Sequence, residues 1–454
     1  MGENYLVLSA DPFAWSVAAA LVGAWLLLTA YMLRKRPQAD VGAARILVVH
    51  ASQTGHAADL AEQLRLRVEA RGESCAAVEA DRLAPPLLAQ ANRLFFIAST
   101  TGEGEAPDNA RRFERMMAAE RADLSGKSVA LLALGDRRYA QFCAFGRRID
   151  RWARGGGAEM LFPAVEVDDL APADLAAWET QLDRLGYPAR AATTLDIETR
   201  WRISDRRQVA GASHDPAGGL NSDGLYSIAL RPQSGEMPAW EIGDLFELRT
   251  PDGHVRDYSI ANRPGGEEIR LFVRRVVDGG VVGRGSGHLT DAEIGSSVIT
   301  GRVRTHRSFH PPTGDGPLLA IGAGSGWAGL RPHLLHAMAL GQRCRLIFGE
   351  RIEEEASPLL AGMRRWLTGE GMEGRLDRLD FALSCAGGPA GRYVQHVVEE
   401  QARDIATFLG DTGRILLCGR LAMGEESLDA LAAALGPDWL DRAREEGRLR
   451  RDLY

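Results

Sequence analysis

Between residues 45 and 190 the apolar positions come in short unbroken runs, and helical patterns separate them. The runs at 45–50, 93–98 and 128–134 are of strand length and apolar almost throughout. A run without alternation is what a strand buried on both faces requires. A helical pattern over 57–71 follows the first run. Such strands alternating with helices predict a parallel α/β sheet, and in such sheets ligands bind in the loops at the carboxyl ends of the strands. From 195 to 310 the texture changes. Segments 225–230, 245–250 and 269–276 alternate apolar with polar residues and are divided by Gly and Pro, which predicts an antiparallel barrel. From 316 to 454 the first texture returns, with strand candidates at 318–321, 345–349 and 414–419.

One further apolar stretch, 13–33, carries no charge and is followed at once by Arg34-Lys35-Arg36-Pro37. It has about the 20 residues that cross a bilayer. The residues before it contain Glu3 and Asp11 but no Lys or Arg. The positive-inside rule then predicts an extracytoplasmic tail at 1–12, a single membrane helix at 13–33, a linker at 34–44 and catalytic domains in the cytoplasm. A cleaved signal peptide would carry its positive charge before the run, not after it.

Composition narrows the function classes. The chain has 454 residues, 45% hydrophobic and 25% charged, as in a globular protein of two or three domains. Its net charge of −7 argues against a nucleic-acid binder, which needs a basic face. The five cysteines are widely spaced, odd in number and form no CxxC. Neither a disulfide framework nor a zinc site is expected, and a reducing compartment fits.

Candidate chemistry lies at the ends of the predicted strands. Ser52-Gln53-Thr54-Gly55-His56-Ala57 joins a strand to a helix. Its hydroxyls and backbone N–H groups, with the positive helix end, suit a phosphate. Unlike a Walker loop it has no lysine, which suits a permanently bound monophosphate. The matching loops are Ser99-Thr100-Thr101-Gly102 and Leu134-Gly135-Asp136-Arg137-Arg138-Tyr139, the latter continuing to Phe142-Cys143. Downstream come Arg256-Asp257-Tyr258-Ser259, Gly283-Arg284-Gly285-Ser286-Gly287, Gly322-Ala323-Gly324-Ser325-Gly326, Cys418-Gly419 and the terminal Asp452-Leu453-Tyr454.

This ordered set resembles the diflavin reductases over residues 45–454. These are the NADPH–haemoprotein reductases, the sulfite reductase flavoprotein and the reductase half of nitric oxide synthase. The resemblance implies a flavodoxin-like FMN domain at 45–190, an FAD-binding barrel at 195–310 and an NADPH-binding domain at 316–454. In the family the first three loops hold FMN, with Tyr139 at the position that stacks on the flavin and Thr101 opposite it. Asp168 or Asp169 would close that site. Arg256 would pair with the FAD pyrophosphate through its two-pronged guanidinium. Tyr258 would pack on that flavin, and Gly283, Gly285 and Ser286 would form the second pyrophosphate loop. Gly324, Ser325 and Gly326 would receive the NADPH pyrophosphate. Ser259, Cys418 and Asp452 would surround the hydride-transfer point, and Tyr454 would cover the FAD ring.

The pattern departs from the family in three places. Gly329 stands where a Pro is usual, which would loosen the turn. In the 2′-phosphate region Ser384, Tyr393 and Gln395 match, but Cys385 replaces an Arg, and Gly391 replaces a Lys with Arg392 one place along. Arg392 could supply the charge, so NADPH is favoured while NADH stays open. The helical connecting domain of the larger relatives is missing, because Arg256 follows 240–245 almost directly. The resemblance implies electron flow from NADPH through FAD and FMN to a redox acceptor protein, membrane-associated and haem-containing. Sulfite reductase, a ferric complex or a quinone are alternative acceptors, and a non-catalytic membrane interaction module on the same fold is the alternative outside enzymes.

Overall fold

The computed structural model describes residues 44–52, 55–101, 104–119, 122–137, 139–188, 199–212, 221–278, 280–351, 357–368, 374, 376–384 and 391–454. They form three sheets. The first contains β1 (Ile46–Ala51), β2 (Cys75–Glu79), β3 (Arg93–Ser99), β4 (Ser128–Gly135), β5 (Glu159–Met160) and β6 (Val165–Asp168). All its pairings are parallel, in the order β2-β1-β3-β4-β5 with β6 also on β4. The helices α1 (His56–Glu69), α2 (Pro85–Gln90), α3 (Arg111–Ala119), α4 (Ala144–Gly155) and α5 (Pro172–Arg184) alternate with these strands.

The unbroken apolar runs are explained by burial on both faces. Leu47, Val49, Phe96 and Leu131 pack into one core. Their neighbours Val48, Phe95, Ile97 and Leu132 pack into another on the opposite side. Each such side chain contributes about 1.5–3 kcal/mol by leaving water. Strand order reverses at β1, so a crevice opens at the carboxyl ends of β1 and β3, where the candidate loops begin.

The second sheet is antiparallel, in the order β10-β9-β13-β7-β8-β11-β12. Its strands are β7 (Thr199–Ala210), β8 (Asn221–Pro232), β9 (Leu245–Arg249), β10 (Val255–Ser259), β11 (Ile269–Asp278), β12 (Val281–Val282) and β13 (Val298–Arg304). The N–H of Ala261, just beyond β10, donates to Arg270 O on β11 at 2.7 Å, which curls the sheet toward closure. Trp201, Ile228, Phe246, Leu271 and Ile299 fill the inside. The indole of Trp201 donates to Gly301 O at 3.1 Å, so its one polar atom is satisfied. β9 and β10 are joined by a turn at 250–254, which leaves no helical insertion between them. Helix α6 (Arg284–Asp291) follows β12.

The third sheet is parallel, in the order β16-β15-β14-β17-β18, from β14 (Leu318–Ala323), β15 (Cys344–Glu350), β16 (Arg378–Leu383), β17 (Arg414–Gly419) and β18 (Leu449–Leu453). Its helices are α7 (Trp327–Ala339), α8 (Pro358–Thr368), α9 (Val394–Glu400), α10 (Ala402–Leu409), α11 (Leu421–Leu435) and α12 (Pro437–Glu445). The apolar pattern does not mark β18, whose three central residues, Arg450, Arg451 and Asp452, are charged.

The expected location, a single-pass membrane protein with its domains in the cytoplasm, is corrected. Among the described residues no helix is long and apolar enough to cross a membrane. The longest described helix, α11, has 15 residues, about 22 Å at 1.5 Å per residue, short of the hydrocarbon core. The segment 13–33 itself lies outside the described residues.

Candidate functional site

Three distant segments meet at the carboxyl end of the third sheet. Parallel pairing of β17 with β18 sets Cys418 opposite Asp452 and Gly419 opposite Leu453. Ser259, the last residue of β10, donates its hydroxyl to Asp452 Oδ2 at 3.1 Å across a separation of 193 residues. The Cys418 thiol approaches the same oxygen at 3.8 Å. Asp452 and Cys418 are both buried. Burial, and then the neighbouring Asp452 carboxylate, push the Cys418 thiol well above its usual range. It therefore stays protonated, a weak donor rather than a nucleophile.

Tyr454 closes this arrangement. Its N–H donates to Gly419 O at 3.0 Å, and its hydroxyl lies 2.8 Å from Ser325 Oγ. The glycine loop beneath it cannot hold larger residues. A Cβ on Gly326 would fall 2.0 Å from Cys418 O, and one on Gly322 2.6 Å from the same oxygen. Gly324 has φ +55°, a left-handed conformation that favours glycine. Gly329 does not loosen a turn. It is buried in α7, and a Cβ there would lie 2.7 Å from Cys418 Sγ and 3.0 Å from Phe309. A residue of ordinary size would push the helix off the thiol.

On the barrel, β10 and the start of α6 form a cradle. A Cβ on Gly285 would come within 3.0 Å of Arg256 Cγ and Tyr258 Oη, so glycine lets both side chains lie over the helix start. Ser286 Oγ accepts the Val276 N–H at 3.2 Å and donates to Gly283 O at 3.3 Å, fixing the loop. Arg256 also reaches Asp169 on the first domain, at 3.0 and 3.3 Å. Asp169 and Leu170 have φ +45° and +56°, an unusual backbone for non-glycine residues that aims the carboxylate at the barrel.

The loops of the first sheet gather as the strand order requires. Ser52 Oγ accepts the N–H groups of Gly55 (2.8 Å) and Ala57 (3.4 Å), ordering the start of α1. The side chain of Asn109 accepts the Ser52 N–H at 3.0 Å. Ser99 ends β3, and the Thr100 N–H donates to Leu134 O at 2.8 Å. Thr100 Oγ1 accepts the Phe145 N–H at 3.2 Å, and the Thr101 N–H donates to Glu105 O at 3.0 Å. Asp136 and Tyr139 form a turn through a 3.1 Å bond, while Gly135 O accepts the Asp169 N–H at 2.8 Å. A Cβ on Gly135 would meet Cys143 at 2.9 Å. Phe142 is covered by the Arg137 guanidinium at 4.5 Å. Gln53, Thr54 and Gly102 lie outside the described residues.

His56 faces the barrel, at 3.4 Å from Glu247 and 3.6 Å from Asp257. These three could hold a metal by spacing alone, with ligand atoms within 4.8 Å of one another. Arginines already neutralise the carboxylates. Arg304 pairs with Glu247 and Asp257, and Arg302 pairs with Glu247 and with Asp59 of α1. Burial alone would raise the Glu247 carboxyl. The hydrogen bonds from His56 and Arg302, and the Arg302 and Arg304 charges, outweigh that and hold it far below its ordinary value. The cluster is an ionic contact between the first two domains. Sequence reasoning placed His56 in the first loop and Asp257 in the Arg256–Ser259 motif but missed their meeting, and it missed Glu247, Arg302, Arg304 and Asn109, which carry no local signal.

In the region expected to receive a 2′-phosphate, Ser384 follows β16 and its N–H donates to Glu350 O at 3.1 Å. A Cβ on Gly391 would lie 2.2 Å from Ser384 O, so no lysine could stand there. Arg392 is exposed and paired with Glu400. Tyr393 is exposed, with its N–H directed to His396 Nδ1 at 3.3 Å, and Gln395 lies half-buried in the first turn of α9. Cys385 lies outside the described residues.

Comparison with known proteins agrees with this architecture. The flavodoxin family model matches residues 48–178. The sulfite reductase [NADPH] flavoprotein alpha-component of Thiocapsa roseopersicina is 27% identical over 452 residues, covering 87% of this chain and 85% of that one. The proteins of the same name from Shewanella sp. (strain MR-7) and Vibrio cholerae (strain ATCC 39541) are 32% and 31% identical over 173 and 145 residues. These matches cover 37% and 32% of this chain but only 29% and 24% of theirs. With a match to the flavodoxin model at its start and a likeness to sulfite reductase flavoprotein components along most of its length, the chain is similar to the diflavin reductases.

Proposed function

We propose that this chain is an NADPH-dependent diflavin oxidoreductase that passes electrons to a one-electron acceptor protein containing haem. The observation that carries the reading is the convergence of Ser259 and Cys418 on Asp452, with Tyr454 drawn onto Ser325 beside them. In the bound enzyme NADPH would supply a hydride, FAD would accept it, and FMN would release the electrons singly. The residues present fit these groups. Gly285 lets Arg256 and Tyr258 lie over the start of α6, where Arg256 would exchange its partner Asp169 for a diphosphate, and the Gly322–Gly326 loop, held close to β17, would offer backbone N–H groups to a second one. The loops after β1, β3 and β4 would hold FMN, with Tyr139 beside its ring.

Ser259, Cys418 and Asp452 would orient the nicotinamide and stabilise charge during transfer. Tyr454 must swing aside for the nicotinamide to enter. Its half-exposed ring suits that movement.

A second reading is the flavoprotein role in an NADPH-using sulfite reductase. The name of the Thiocapsa relative and its 85% coverage favour it. The test of the main reading is flavin release from purified protein, with visible spectra before and after anaerobic NADPH or NADH. One FMN and one FAD, bleached faster by NADPH, is the expected result. FAD alone would reduce the first domain to a docking module, and no bleaching by either nucleotide overturns the reading.

A further inference from the structure

Behind the glycine loop lies an ion pair whose acidic member falls in Phe348-Gly349-Glu350-Arg351, a stretch that also resembles the family, and whose basic member, Arg274, lies outside every motif. Arg274 of β11 reaches across to the third sheet, and its Nη2 lies 3.1 Å from both carboxylate oxygens of Glu350, the last residue of β15. Only the cationic end of this pair is accessible. The Glu350 side chain is 1% exposed and the Arg274 side chain 17%. The carboxylate also accepts the Arg351 N–H at 2.9 Å, which fixes its orientation.

The guanidinium points at the dinucleotide loop. A Cβ on Gly324 would lie 3.0 Å from Arg274 Nη2. Thus Gly324 is glycine both for its left-handed backbone and for this approach. Immediately after the Arg274–Arg275 pair, β11 slips its register against β8 between Arg275 and Val276. Bulges of this kind re-aim side chains. Arg275 turns away to Asp223 and Asp291, while Arg274 crosses to the nucleotide domain.

Resting on the reading above, we propose that Arg274 binds the pyrophosphate of the nicotinamide dinucleotide and that Glu350 positions it. The glycine loop brings backbone N–H groups but no cation. A guanidinium held over its first turn adds the charge, and its planar donors match a diphosphate. The cation comes from the barrel, so dinucleotide binding would also draw the barrel and nucleotide domains together. Glu350, buried behind it, keeps the side chain extended before the ligand arrives and removes the entropy cost of ordering it on binding.

The test uses the flavin-loaded protein with ferricyanide as acceptor, measuring kcat and KM for NADPH across a salt series. Arg274→Gln is expected to raise KM about tenfold with kcat within twofold, and to flatten the rise of KM with salt, since one fewer charge is screened. Arg274→Lys keeps the charge but loses the fork, so its KM should lie between the two and keep the salt dependence. Unchanged flavin content in both variants shows that the fold survives. A KM for Arg274→Gln within twofold of wild type overturns the proposal, and so does an equal KM increase in both variants at every salt concentration, which marks a structural contact. Wild-type protein that neither binds nor oxidises NADPH would instead overturn the functional reading on which this inference rests.

Discussion

The flavodoxin-like domain and the proposed hydride-transfer centre are built in opposite ways. In the first half each candidate loop directly follows the strand that positions it, and β1, β3 and β4 are sequence-marked neighbours in one sheet. At the centre, Ser259 comes from the antiparallel sheet, Cys418 from β17 and Asp452 from β18, and the Ser259–Asp452 bond spans 193 residues. The first region needs only its own core. The second exists only if two domains dock and the chain's end enters a sheet. Damage to one should therefore spare the other.

The largest expected effect tests that independence. Phe95→Ala should cost about 3–5 kcal/mol through the cavity left between β3 and its covering helices. In thermal unfolding with flavin analysis, FMN should be lost while NADPH still reduces the remaining flavin. Simultaneous loss of both activities would show the halves to be one cooperative unit.

Next is Asp452→Ala, which removes the carboxylate shared by Ser259 and Cys418. Anaerobic stopped-flow reduction by NADPH should slow by about 10²–10³-fold with both flavins retained, the scale for losing one preorganised polar group. A change under threefold would remove Asp452 from the hydride site.

Gly326→Ala should be milder, costing about 1–3 kcal/mol as the new methyl meets Cys418 O and pushes the loop off β17. The melting transition of the nucleotide domain should move down while FMN binding is untouched; an unmoved transition would show that the loop can yield.

The smallest effect concerns the contact between the regions. The folded Glu247 carboxyl titrates below its ordinary value of 4.5. Its contribution is therefore complete above pH 4.5 and fades as pH falls from there toward the folded value, by up to about 1.4 kcal/mol per pH unit. Acid unfolding followed by flavin fluorescence should show this slope below pH 4.5, and Glu247→Gln should flatten it. An identical slope in the variant would show that the cluster around His56 does not hold the domains together.

Legibility in the sequence followed the same division. The runs at 45–50, 93–98 and 128–134 became β1, β3 and β4 with only end adjustments, because burial on both faces confines polar residues to the strand ends, where they do not blur the pattern. The strand at 449–453 left no such trace. Leu449 and Leu453 flank three charged residues, and Arg451 and Asp452 are buried through partners that local patterning does not show. The departures at Gly329 and Gly391 were visible as letters, but their reason was not. Each gives way to a distant atom, Cys418 Sγ in one case and Ser384 O in the other.

By itself the sequence determined the alternation of sheet types, the ends of the parallel strands and the residue types offered there. These follow from side-chain burial and backbone freedom within a few neighbouring residues. Only the tertiary structure decided which of those residues meet. The register of β17 against β18 puts Cys418 beside Asp452, the turn after β6 aims Asp169 at Arg256, and the register slip in β11 comes beside the arginine that crosses to Glu350. Such contacts depend on strand register and domain docking, and those are set by the packing of the whole core rather than by any segment that takes part in them.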